Sequence, residues 1–456
     1  MSQPDGLAES RKARNRQPWR VIAIALVLWV AALAPGLAQQ APASAGPYRH
    51  SPVSEVSRGC KGQNAEVEQA VRYPQVYEAW IGCGGIGFAR SSDGGRSFGR
   101  PIQVPGSAGS GSVITDGRYL PKSGWDPAIA VAPDGAVYVS YMIFRHGYDH
   151  PRMAISYNHG ASFARVAQVM PPAQPRDNWG DRDFLAVAPN GTIYLTWDYG
   201  PSLKLPDANI VLQKSSDGGR KWSRITPVSP GYPAHGGDVA GPLVAGAGGR
   251  LDVLLWVDQD PGLHGFALPP GHDYFTSSSN GGRTWSKPLA VGPHAGTDGS
   301  EFTTWIDADI AADASGTLYA TWDTQQPGGD IGWLAYSTDR GRTWSRAIRV
   351  TPDHDKAEHI MAVFGGRPGT AYLAWLAGGP FTASSPRPFS QYLRVFSVRR
   401  GWLSPPRLVS LRTGNGHVWP GDTIGISLLP GQRVMLSWGS AVGSATSQIW
   451  ARQVRG

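Results

Sequence analysis

Acidic residues recur at one place in a repeating pattern along this 456-residue chain. Asp126, Asp181, Asp183, Asp238, Asp307, Asp309 and Asp422 stand at the starts of short apolar alternations. The alternations that follow close on aromatics: Trp80, Tyr141, Trp197, Trp256, Trp322, Trp375 and Trp438. Asp198, Asp258 and Asp323 come directly or nearly directly after three of them. Carboxyl groups gathered together can divide acid and base roles between them. Aromatic rings beside them would suit the hydroxyls and ring faces of sugars. The plainer reading of any one of these residues is an Asp capping a turn and an aromatic filling a core.

The acid/base candidates are Asp126 and Asp183, with Glu301 as a further carboxylate, Arg182 and Arg145 as cations, and Tyr148 or Tyr274 as phenolic nucleophiles. Arg118, Trp197, Trp256 and Trp322 are the candidates for holding a substrate. Arg182 lies between Asp181 and Asp183, so a local ion pair is its alternative reading. Clustered carboxylates also suit a hard cation, which makes Ca²⁺ the one cofactor suggested, although the chain has no EF-hand or RTX-type loop. His264, His272 and His294 do not have the spacing of a recognised zinc motif, and no metal ligands are assigned.

The elements that position these residues are repeats. Five turns share one pattern: Ser91 to Phe98 around Asp93, Ser156 to Phe163 around Asn158, Ser215 to Trp222 around Asp217, Ser278 to Trp285 around Asn280, and Ser337 to Trp344 around Asp339. Asp or Asn bonds backbone amides ahead of it, Gly supplies positive φ, and the closing aromatic packs the hairpin on its own sheet. Before each turn, a strand, a tight turn and a second strand recur, as in residues 127–141, 184–197 and 310–322. Val137, Val139 and Tyr141 alternate with Tyr138 and Ser140, the period of a strand. The units begin near Asn64, Asp126, Asp181, Asp238, Asp307, Glu358 and Asp422, and each holds four strands, A to D. The seventh ends after three, so residues before Asn64 are expected to supply its fourth.

The five turns resemble the Asp-box, or BNR repeat, of the form S-x-D-x-G-x-T-W. The resemblance covers nearly all of the chain after residue 60. It implies an all-β fold, a single β-propeller of four-stranded blades belonging to the sialidase-like superfamily. Seven blades are expected and six stay open, since true sialidases have six. In such a ring the Asp-boxes lie on the outer C to D turns, so Asp93, Asn158, Asp217, Asn280 and Asp339 are structural. A-strand starts and B-strand ends share the opposite face.

Sialidase chemistry in this family uses three Arg on the substrate carboxylate, a Tyr nucleophile assisted by Glu, and an acid/base Asp. The F/Y-R-I-P string carrying the first Arg is absent, and B strands end here in Trp or Tyr where the family has other triad Arg. The resemblance therefore implies an exported sialidase-like propeller acting on extracellular glycans, an exo-glycosidase in the sialidase manner. The alternative is a non-catalytic propeller serving as a platform for a glycan or protein partner.

Composition agrees with an exported all-β chain. There are 59 Gly, 38 Pro and 18 Trp against 17% charged residues, which favours short strands and tight turns over surface helices. Arg11 to Arg20 is basic, residues 21–34 are apolar, and Gly36 and Ala38 are small, the pattern of a signal peptide cut after Ala38 or of an uncleaved anchor. Residues 1–38 are assigned to that segment, 39–60 to a linker with the ring-closing strand, and 61–456 to the propeller. Removing the first twenty residues takes away five basic and two acidic side chains, which lowers the formal charge from +8 to +5. No Lys/Arg block remains, so nucleic acid is not an expected partner. The expected partner is an extracellular glycan or glycoprotein, with a membrane involved only through an uncleaved N-terminal segment. Cys60 and Cys83, the only cysteines, are expected to bond in an oxidising compartment.

Overall fold

The computed structural model describes residues 51–109, 112–115, 118–121, 123–145, 148–170, 179–200, 209–228, 238–257, 272–291, 302–303, 308–325, 330–352, 358–379 and 384–456. The N-terminal segment 1–38, Asp258, Glu301, Asp307, His264 and His294 lie outside these residues. Among the described residues no helix is long and apolar enough to cross a membrane.

The chain folds as a seven-bladed propeller. The innermost strands are Ala65–Arg72, Trp125–Val131, Trp179–Val187, Asp238–Ala245, Asp309–Ala312, Glu358–Gly365 and Gly425–Leu429. Each opens an antiparallel meander that runs outward. The second strand of the second blade, Val137–Arg145, shows why the pattern works. Val137, Tyr138, Val139, Ser140 and Tyr141 are all buried, because both faces of a blade pack on neighbouring blades. Seven apolar cores result, one between each adjacent pair of blades.

The seventh blade is completed from the other end of the chain. Ser54–Glu55 pairs antiparallel with Gln448–Arg455 as its outermost strand. Val56 donates its N–H to Ile449 O at 2.8 Å, and Ser57 Oγ accepts from Ile449 N at 2.9 Å. Pairing first strand with last removes the exposed edges an open sheet would have. Cys60 and Cys83 form a disulfide, with Cα atoms 4.7 Å apart, tying this segment to the first blade.

The five Ser-x-Asp/Asn turns join third to fourth strands at the ring's lower rim. In the first, Asp93 Oδ1 accepts from Arg96 N and Ser97 N at 3.0 Å each, and Ser91 Oγ accepts from Gly95 N at 2.8 Å. Asn280 makes the same pair of contacts, 3.0 Å from both Arg283 N and Thr284 N. The glycine two residues after the Asp or Asn serves two purposes: Gly160 holds φ 72, and a Cβ there would meet Phe88 of the preceding blade at 2.8 Å.

Candidate functional site

A channel of about 450 Å³ runs along the propeller axis and is lined by the inner strands of all seven blades. Its lower part is apolar, with Leu185, Leu243, Ile310, Val363, Ile426 and Leu428 among the lining residues. Carboxyl groups gather toward the strand starts, the end opposite the turns.

Their placement depends on one repeated irregularity. The pairing of first with second strand shifts register between Ala65 and Val67, Trp125 and Ala128, Asp181 and Phe184, and Ala240 and Leu243, at the same level in four consecutive blades. In the first three the bulged residue has left-handed backbone: Glu66 at φ 52, Asp126 at φ 44 and Arg182 at φ 48. Such conformations cost non-glycine residues about 1–3 kcal/mol each and persist only where the surroundings hold them. A bulge re-aims the side chain at a sheet edge. Three of them together bring Glu66, Asp126 and Arg182 to the axis.

There they meet Asp181 and Asp422. Neighbouring carboxyl groups interact in a row, Asp181 with Asp126, Asp126 with Glu66 and Glu66 with Asp422, crossing four blades. A hydrogen bond between two carboxyl groups needs a proton on one of them. Burial, reinforced by Glu66, raises Asp126 well above the usual carboxylate range, and burial with Asp126 does the same to Asp181. Burial and the nearby Asp422 lift Glu66 to about 8. Burial also raises Asp422, but the Arg182 guanidinium opposes it. Burial alone would lower the pKa of Arg182; Asp422, Asp126, Glu66 and Asp181 together overcome this and raise it. Protonation is therefore favoured at Asp181, Asp126 and Glu66, while Asp422 is the member whose charge Arg182 favours most directly.

Both ends of the row are held by an indole N–H. Trp125 Nε1 donates to Asp181 Oδ1 at 3.0 Å and Trp419 Nε1 donates to Asp422 Oδ1 at 2.7 Å. Both tryptophans are only partly buried, as are Asp126, Asp181 and Asp422, whereas Glu66 and Arg182 are 3% and 5% exposed. The accessible side of the cluster thus consists of three carboxyl groups flanked by two indoles.

One level down the channel a second set of acids is also held neutral. Burial and then Asp309 push Glu68 up to about 8, and burial lifts Asp309 to about 7 against hydrogen bonds from Val363 N and Ile310 N at 2.8 Å each. Glu78 sits at about 8 through burial, although Gln69 Nε2 and Ser437 Oγ both donate to it at 2.8 Å. Among the described residues, no group of three or more His, Cys, Asp or Glu is arranged to hold a metal ion.

Of the sequence candidates, Asp126 and Arg182 meet in the cluster. The bulge separates Asp183 from them: it is 4% exposed, and burial raises its carboxyl well above the usual range, with the nearby Ser140 hydroxyl opposing the rise. Trp197 is fully buried between the second and third blades and Trp322 is 6% exposed between the fourth and fifth, so neither offers a ring face to a ligand. The backbone of Trp256 pairs with Val239 and Asp273, and the blade-core position that Trp197 fills in the third blade is taken in the fourth by Leu255. Tyr274 is buried between the third and fourth blades, which raises its phenol to about 12. Arg145 and Tyr148 face each other in adjacent strands and Arg118 lies in the strand Arg118–Pro121, but their side chains lie outside the description. Glu66, Glu68, Trp125 and Trp419 are not singled out by the sequence pattern. The clue to Glu66 and Glu68 is two acids alternating within the first strand of the first unit.

No family model matches the chain, and no curated protein matches it. Solved structures do. A polysaccharide lyase, an ulvan lyase bound to -[GlcA(1-4)Rha3S]-, superposes with a TM-score of 0.57 at 14% identity, covering 87% of this chain and 96% of that one. A second ulvan lyase structure gives 0.56 at 14% identity over the same shares. The NanB sialidase of Streptococcus pneumoniae gives 0.48 at 10% identity, covering 76% and 71%. The neighbours are β-propellers, and at these identities what they share with this chain is the fold.

Proposed function

We propose that this chain is an exported, sialidase-like propeller that acts on extracellular glycan as an exo-glycosidase, with its site at the axial mouth. The observation that carries this reading is the row of carboxyl groups from Asp181 to Asp422, held at its ends by Trp125 and Trp419. Carboxyl groups kept neutral at pH 7 can donate a proton to a leaving glycosidic oxygen, and carboxyls of unequal acidity divide acid from base. Asp181 and Asp126 belong to residues that are only partly buried, and as the members favoured to hold a proton they take the acid role. Asp422, whose charge the facing Arg182 favours, takes the base role. Trp125 and Trp419 offer faces on which a pyranose ring stacks. Arg182 touches no substrate in this reading and positions the carboxyl groups.

A neutral sugar suits this mouth better than a sialate. Arg182 is already neutralised by surrounding acids, and a substrate carboxylate would meet the Asp422 charge. The second reading, a non-catalytic binding platform, draws support from the deep burial of Glu66 and Arg182.

A panel of fluorogenic glycosides that includes a sialoside tests both. Release from one neutral glycoside, abolished in Asp126→Asn and weakened mainly in KM by Trp419→Ala, is the expected result. Silence across the panel from a folded protein that still binds a glycan array through Trp125 and Trp419 would establish the platform instead.

A further inference from the structure

The outer edge of the sixth blade differs in charge from the rest of the ring. Between Glu358 and Asp422 the sequence has seven arginines and no Asp, Glu or Lys. The blade also lacks the Ser-x-Asp/Asn turn. Its third strand, Arg387–Ser397, is followed by two short strands, Gly401–Trp402 and Arg407–Leu408, that pair with it in turn. Pro405 and Pro406 stand between them. Prolines and short strands blunt an edge against strand addition, so a partner strand is not what this edge invites.

Its exposed side chains are of two kinds. Leu403, Leu408 and Leu411 are 47%, 54% and 65% exposed, three of the most exposed large apolar residues among those described. Arg399, Arg400 and Arg412 are exposed beside them in sequence. Leu403 and Leu408 stand at two levels of the same outer edge. Leu403 N bonds Val395 O at 2.9 Å, and Leu408 pairs with Tyr392, three residues along the same strand and so roughly 10 Å away. The support is rigid: Arg394 stacks over the Trp402 ring at 3.8 Å and donates to Val350 O of the fifth blade at 2.8 Å. On the following blade's outer strand the acid Glu55 already faces Arg58, at 3.9 Å.

We propose that this edge seats the propeller on an anionic lipid surface. The arginines supply attraction to lipid phosphates and the leucines enter the boundary between headgroups and acyl chains. Leucine has neither the ring face nor the hydrogen-bonding groups that hold a sugar, which favours lipid over an acidic polysaccharide. A second copy of the same edge would be repelled by its own charge. The proposal is independent of the axial site.

Hydrogen exchange of the full chain tests it locally, so that any vesicle contact made by the N-terminal segment does not enter the readout. Vesicles of phosphatidylcholine mixed with phosphatidylglycerol are expected to slow exchange across residues 399–412, and phosphatidylcholine alone is not. Each arginine changed to glutamine should weaken this binding about fivefold. Leu408→Ser with Leu411→Ser should remove the protection while leaving the melting temperature unchanged. Equal protection by both kinds of vesicle, no protection at all, or protection by soluble heparin but not by vesicles would each overturn the proposal, the last in favour of a polyanion site.

Discussion

Arg182 donates its backbone N–H to Asp126 Oδ2 at 3.0 Å, and both residues hold left-handed backbone at the same bulge of adjacent blades. The conformation that aims the Arg182 side chain at the axis also turns its amide toward the neighbouring carboxyl group. Arg182 then serves as the counter-charge to Asp422. Replacing it with methionine leaves that carboxylate buried without compensation, and loss of one partner of a buried pair costs about 3–5 kcal/mol. The urea midpoint of Arg182→Met should fall accordingly. Arg182→Lys keeps the charge, and its midpoint should fall by less than half as much. Equal midpoints for the two variants would show that charge is not what Arg182 contributes.

The acids of the channel give this protein an unusual dependence of stability on pH. Glu66, Glu68 and Glu78 titrate near 8 and Asp309 near 7 in the folded chain, against 4.5 and 3.8 ordinarily. A raised carboxyl pKa means that the native state binds more protons than the unfolded one between the two values. Stability is therefore fully present below about pH 4 and falls as pH rises through 7 to 8, by roughly 1.4 kcal/mol per unit for each group inside its window. Asp93 works in the opposite direction. Burial would raise it, but hydrogen bonds from Ser97 and Ser91 hold it at about 2, so its contribution appears above pH 4 and is lost toward pH 2. Solvent screening keeps that contribution small. Urea midpoints taken from pH 5 to pH 8 should decline, and Glu66→Gln should flatten the decline. A midpoint that rises over this range would contradict the protonation assigned to the axial chain.

Much of this fold is legible in the sequence because its signals are local. Turn residues at Asp93 or Asn280 and alternation at Val137 and Val139 each need only a few neighbours, and repetition along the chain supplies the count of seven. The site is less legible because it depends on bulges. One extra residue opposite Trp197 sends Arg182 to the axis and buries Asp183 apart from it, and nothing in the string Asp181-Arg182-Asp183 distinguishes the two. Aromatics that close second strands, such as Trp197 and Trp322, follow a regular pattern because they fill the cores. Trp125 and Trp419 reach the carboxyl chain from beside the strand starts, outside that pattern, and only the assembled ring shows that they stand at its two ends.

The turns distinguish shape from charge. Asp93 accepts from two backbone amides through Oδ1 and takes the Ser97 hydroxyl proton on Oδ2 at 2.6 Å. Asn158 keeps an Oδ1 contact to the Ser162 amide at 3.0 Å but reverses the last bond, Nδ2 donating to Ser162 Oγ at 2.9 Å. The hydroxyl serves either way, since it both donates and accepts. Asp93→Asn should therefore leave the melting temperature within a degree or two, whereas Asn280→Ala, which loses all of these contacts, should cost about 1–2 kcal/mol. Neither change should alter activity at the axial mouth, because the turns lie on the opposite rim. A loss in Asp93→Asn as large as that in Asn280→Ala would mean that the first turn, unlike those built on Asn158 and Asn280, depends on its negative charge.

Ring closure rests on a short segment held at both ends. Ser54, Val56 and Ser57 bond to the last strand of the seventh blade, and Asn64 bonds through its N–H to Ser447 O at 3.0 Å. Between them Cys60 is tied to Cys83 across 23 residues of sequence, beside Val56 and Trp80 in the core where the first and seventh blades meet. A loop of this length cross-linked in the unfolded chain is worth roughly 3 kcal/mol. Cys60→Ser with Cys83→Ser should lower the unfolding free energy by about that amount. Because the segment loses an anchor, amide exchange should speed up first in residues 54–64 and in the partner strand Gln448–Arg455. Exchange that instead rises uniformly around the ring would show that the disulfide stabilises the chain only through its unfolded state and has no particular hold on the closure.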